Sequence, residues 1–136
     1  MANRAALIRY YEWQVDDRRK VLAELFSSVE ALDQEEERLD VSSSLEQVKA
    51  NEMEVGLASF PGFAQGVIEK RNRIHILRQE LEEKIQNAQD ALQIAYQDLK
   101  KIEIMEERRL EEEAKEQARL EQAELDEIAR DRHFRE

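Results

Sequence analysis

No cysteine occurs in the chain, which excludes disulfides and thiolate metal sites and suits a reducing compartment. No apolar run approaches the ~18–20 residues that a membrane-spanning helix needs. The N-terminus has no apolar stretch of the secretory type, so a soluble, cytoplasmic protein is expected. Aromatic residues make up only 6%, too few for an ordinary globular core. Helix breakers are scarce and confined to one place. All three glycines (Gly56, Gly62, Gly66) and the only proline, Pro61, fall between positions 56 and 66. Glycine and proline are the costliest residues in a helix interior. Two uninterrupted helices joined by one reversal is therefore the simplest architecture, and it leaves no concave pocket for a substrate.

What is abundant fits that picture. Charged residues reach 39%, with Ala, Glu, Leu, Gln, Arg and Lys dominant, the composition of a coiled coil or long helix. The formal net charge is −11. Acids dominate residues 27–62 and 106–136, while 63–80 is net basic. This balance excludes nucleic acid as a partner, since that binding rests on a basic surface that releases counterions. It suits a rod that repels its own kind, or one that docks into a basic lumen.

Before the breaker window, Ile8, Tyr11, Val15, Arg18, Leu22, Leu25, Val29, Leu32, Glu36 and Leu39 keep strict 3-4 spacing. A repeat of 3.5 residues sustained over about four heptads is a coiled-coil seam. Arg18 and Glu36 are its polar interruptions, a device that fixes register at some cost in stability. After the window, the seam runs Ile74, Leu77, Leu81, Ile85, Ala88, Leu92, Ala95, Leu99, Ile102. Its successive four-residue steps at 77, 81 and 85 predict a stutter, which locally unwinds a supercoil. The predicted fold class is all-α: an antiparallel two-helix coiled-coil hairpin with an overhanging C-terminal helix. It comprises a first arm over about residues 3–54, a turn over about 55–62 and a second arm over about 63–131.

A reversal near position 57 sets Ile8 by Glu106, Leu22 opposite Leu92, Glu35–Glu37 near Arg78 and Arg73 toward Asp40. The acidic part of one arm thus meets the basic start of the other, as paired helices require. At ~1.5 Å per residue the arms span about 70–75 Å and about 100 Å. Residues beyond Leu110 accordingly have no antiparallel partner. Their apolar positions (Leu110, Ala114, Ala118, Leu120, Leu125, Ile128) are sparse, and pairs such as Glu111–Lys115 and Asp126–Arg130 support an isolated helix. Two readings of this overhang stand: a surface for a partner, or a solvated tail. Ser42–Ser44 lower helix propensity and mark a place where the first arm kinks or ends early. Ser59 is a candidate cap for the second helix, with Pro61 in its first turn. Phe60 and Phe63 are placed at the tip.

Catalytic and metal constellations are missing. His75 and His133 lie far apart and fit no metal-ligand spacing, and the glycines match no phosphate-binding loop. The acidic clusters lack the alternation and glycine of a calcium loop. No enzyme activity and no cofactor are expected. One feature exceeds the needs of a hairpin: Tyr10 and Trp13 stand i,i+3 on the outward face of the first arm. Trp and Tyr are enriched at binding hot spots; the alternative is that Trp13 packs on the second arm.

The segments "LIRYYEWQVDDRRKVLAEL" (7–25), "FPGFAQGVIEKRNRI" (60–74), "LKKIEIMEERR" (99–109) and "EQAELDEIA" (121–129) resemble the FliJ family of flagellar export proteins, in the form seen in alphaproteobacteria. Only Ser42 to Leu57 lacks a match. The resemblance implies an antiparallel two-helix coiled coil similar to the central stalk of rotary ATPases, without catalytic residues. It implies a component of the flagellar type III export apparatus, serving motility and chemotaxis. Such a protein enters the export ATPase ring (FliI) and promotes its assembly, contacts the export-gate membrane protein FlhA and escorts export chaperones. It implies a cytoplasmic location at the inner face of the cell membrane, without membrane insertion. Carried onto this chain, Tyr10 and Trp13 lie at the end expected near the ring, as does Ile102 to Leu125. Ile104, Leu110, Leu120 and Leu125 are the candidate contacts there. The rival readings are the coupling stalk of a virulence type III system, an export chaperone using Phe60 and Phe63, and a coiled-coil scaffold.

Overall fold

The computed structural model describes residues 2–52 and 54–135, with only the backbone described at 2 and 54–60. Every described residue is helical: α1 spans Ala2–Glu52 and α2 spans Glu54–Arg135. The two helices pack against each other as an all-α helical hairpin. They contribute to two compact units, Asp16–Ile94 and Met1–Val15 with Ala95–Glu136.

The turn expected over 55–62 is not there. α2 already runs from Glu54 and carries Pro61 inside it, so Ser59 does not start the helix. The side chains of Ser59 and Phe60, expected as cap and tip, lie outside the described residues. The physical reason is that propensity is a weak prior which tertiary context overrides. A proline inside a helix removes one backbone hydrogen bond and leaves the rest of the ladder in place. No described glycine has a positive φ, so none uses the freedom that makes glycine a turn residue. At Gly62 and Gly66 an added Cβ would meet open space. Gly62→Ala and Gly66→Ala should therefore each raise the unfolding free energy by about 0.5–1 kcal/mol, seen as a higher thermal midpoint in far-UV circular dichroism. Likewise α1 passes through Ser42–Ser44 without ending, and Leu45 and Val48 beyond them remain exposed.

In the unit Asp16–Ile94, α1 turns inward Leu22, Leu25, Val29, Leu32, Glu36, Leu39, Ser43, Glu46 and Ala50. α2 answers with Val67, Ile74, Arg78, Leu81, Ile85, Ala88 and Leu92. Two sequence expectations change here. Arg18 is exposed rather than seam-facing. Leu77 is 46% exposed and Arg78 occupies the inward place, its side chain 26% exposed. With Arg78 included, the seam steps 74, 78, 81, 85, 88, 92, 95, 99, 102 alternate four and three throughout. The stutter disappears. Arg78 donates from Nη1 to Asp33 and from Nη2 to Glu36, and Arg71 pairs with Asp40. The Glu36–Arg78 meeting was expected from sequence, whereas Asp40 takes Arg71 rather than Arg73. Asp40 thus meets a residue two positions nearer the start of α2 than expected.

In the other unit, the start of α1 lies antiparallel to α2 from Ala95 to Arg109, with Val15 and Ala95 buried. Ile8, Tyr11, Leu99 and Ile102 are half-buried between the helices. From Leu110 to Arg135 every residue is exposed. That stretch is helix without a packed neighbour, as the unequal arms require.

Candidate partner-binding surface

The first candidate group sits on α1, three residues apart on a helix, which brings side chains together on one face. Tyr10 and Trp13 stack with ring centroids 6.5 Å apart and planes 28° from parallel. Tyr11 meets Tyr10 edge-on at 5.4 Å. Gln14 Nε2 donates to the Tyr10 hydroxyl at 2.9 Å. The two outward rings are thus held in place by their own helix, while Trp13 remains 61% exposed.

Beside this cluster, Leu7, Ile8, Ile102 and Met105 line a shallow cleft of about 170 Å³ rimmed by Arg4, Glu106 and Arg109. Sequence reasoning placed Ile8 beside Glu106 but missed Leu7 and Met105, which are exposed (Met105 at 64%). The signal was available: both adjoin the seam and so fall on its flank. Charge closes the seam at this point. Arg109 grips Glu106 with two bonds, Nη2 at 2.7 Å and Nε at 3.1 Å, and reaches Glu113 with Nη1 at 2.9 Å. Arg4 approaches Glu106 at 3.8 Å. Further along, Arg119 grips Glu116 in the same two-bonded way. The face of α2 that would have packed on a longer α1 therefore satisfies its own charges.

The hydrogen bonds from Arg109 hold the Glu106 carboxyl below its ordinary value of 4.5, outweighing partial desolvation, with Arg109 and Arg4 adding attraction. A carboxylate whose folded pKa is depressed contributes stability that is complete above the unfolded value. That contribution is lost as pH falls through the folded one. Glu106→Gln should thus lower the thermal midpoint at neutral pH and flatten its decline below pH 4.5. Melting curves of both proteins across the acid range check this.

Among the α2 candidates, Leu110, Leu120 and Leu125 are exposed, whereas Ile104 is half-buried. They do not form one stripe. At about 100° per residue, Leu110 aligns with Ile128 and lies near Leu125, and Leu120 faces about 80° away. Ile128 and Phe134 are exposed as well. Among the described residues, no group of His, Cys, Asp or Glu is placed to hold a metal, and no helix is long and apolar enough to cross a membrane. The surface presents exposed aromatic rings on α1 and scattered apolar side chains on α2.

Comparison with known proteins adds one result. A protein-family model described as "Flagellar FliJ protein" matches residues 6–136. No curated protein matches the chain, and no solved structure does.

Proposed function

Because the chain belongs to the FliJ family and so is a component of the flagellar export apparatus, we propose that it serves there as a non-enzymatic stalk and assembly factor of the export ATPase ring. The observation that carries this reading is the unpaired helix from Leu110 to Arg135, exposed throughout and rich in acids. A helix with no packed neighbour, whose seam-side charges already satisfy one another, is built to be surrounded by something else. A ring with a basic lumen fits it. Tyr10, Trp13 and the Leu7–Met105 cleft belong to the same unit as this helix and supply hot-spot chemistry. A stiff, asymmetric insert biases a ring only through differential contacts with its interface states, and the two-faced arrangement of Leu110 and Leu120 provides such asymmetry. In this reading the chain also meets an FlhA-like export gate and export chaperones, from a cytoplasmic position beside the membrane. The family's flagellar description favours this over a virulence system.

The test is an ATPase assay of the cognate ring enzyme with and without the chain. Turnover and ring assembly should both rise on addition; unchanged turnover and unchanged oligomer size refute the stalk reading. Trp13→Ala should weaken binding to the ring about 10-fold or more and leave far-UV circular dichroism unaltered, because Trp13 lies outside the packed seam. A titration on the immobilised ring enzyme measures the first effect.

A further inference from the structure

Leu77 and Arg78 compete for one place in the seam. With 3.6 residues per turn, take the line along α2 through Ile74, Leu81 and Ile85 as the centre of the packed face. Arg78 then stands about 40° to one side and Leu77 about 60° to the other. The helix is rotated so that the charged residue is inside (26% exposed) and the apolar one outside (46% exposed). That inverts the ordinary preference for burying leucine rather than arginine. What holds the inverted state is on the Arg78 side. Arg78 bonds to both Asp33 and Glu36 of α1, and Arg71, on the same flank of α2, pairs with Asp40. On the opposite flank Leu77 borders a depression of about 170 Å³, lined also by Ser28, Leu32, Glu80, Leu81 and Lys84. An apolar side chain thus stands beside two seam leucines with space next to it.

We propose that this part of the hairpin is a two-state rotational switch. In one state Arg78 fills the slot and the seam follows an unbroken heptad; in the other Leu77 fills it and α2 acquires a local stutter. Turning α2 to bring Leu77 inward carries Arg71 and Arg78 away from α1 together, so the three ion pairs break as a set. The exchange trades charge pairing for apolar burial. Ionic strength, or a partner that offers its own charges to Asp33, Glu36 or Arg78, tips the balance, because exposed pairs are screened by salt while apolar burial is not. The mechanical consequence is local: a stutter unwinds the supercoil, so the two states differ in twist.

The absence of native cysteine makes disulfide trapping a clean probe. Ser28→Cys with Lys84→Cys places thiols on opposite walls of the depression beside Leu77, and turning α2 into the second state brings them closer together. Adding Asp33→Asn and Glu36→Gln should accelerate disulfide formation at least tenfold under mild oxidant, with helicity retained. Adding Leu77→Ala to that neutralised protein should return the rate to its original value, because rotation then buries nothing. The proposal is overturned by equal rates with and without the acids. It is overturned equally by an acceleration that persists with Leu77→Ala, or by loss of helicity on neutralisation, since either makes the acids simple struts between the helices.

Discussion

Replacing Ile74 by Ala should lower the unfolding free energy by about 2–3 kcal/mol, the lower half of the range for removing a buried isoleucine side chain. Ile74 is 6% exposed, and the other buried apolar residues described are Val15, Leu39, Ala50, Val67 and Ala95. Three of those five are valine or leucine, so a large share of the deeply packed apolar volume in the unit rests on Ile74 and Leu39. Two packed helices have no third layer behind them, and a cavity at the seam lies one side chain from water. Solvent entry and small shifts of the helices soften the penalty, hence the lower half of the range. Leu77→Ala, only three residues on, should change stability by no more than about 0.5 kcal/mol, because its side chain is already half in solvent. Urea unfolding followed at 222 nm compares the two. Equal costs would mean that the seam passes through Leu77 and that Arg78 is not the inward residue.

A chain ending at Glu113 should keep its thermal midpoint within a few degrees and lose its stimulation of the export ATPase down to the level without added protein. The truncated chain retains the Glu106–Arg109–Glu113 network, so the end of the packed seam stays satisfied. Residues 114–135, the described part of what is removed, are exposed helix. The loss of activity follows because the segment removed is the one proposed to sit inside the ring. Stimulation equal to that of the full chain would transfer the working contact to Tyr10, Trp13 and the Leu7–Met105 cleft. A collapse of the midpoint would instead show that residues 114–135 pack where the structure leaves them exposed.

Most of the seam was legible because a heptad is a property of spacing alone. Ile8 to Leu39 on α1 and Ile74 to Ile102 on α2 were read correctly except at Arg18 and Leu77. The second failure occurs where an apolar or a charged residue had to be chosen by what stands across the interface. The side chain that enters the seam beside Ile74 is decided by Asp33 and Glu36, 42 to 45 positions earlier in the chain, and no local pattern contains that information. The candidate surface was legible in part. Tyr10 and Trp13 stood out by residue type and helical position, while Leu7 and Met105 were missed because the cleft they line exists only between the two helices. The overhang was legible from arithmetic, since unequal arms cannot pair to their ends.

Breaker residues predicted a turn over 55–62, where α2 is already helical. Glycine and proline report what a helix costs, about 1 and about 3 kcal/mol each, but not where two helices gain more by packing than they lose by bending. By itself the sequence determined two long helices, the face each presents and the residues with no partner to face. Tertiary structure alone decided the pairing of Asp40 with Arg71 and the entry of Arg78 in place of Leu77. Periodicity is fixed by residues a few positions apart, whereas register and rotation depend on contacts between residues tens of positions apart, and those exist only once the helices have met.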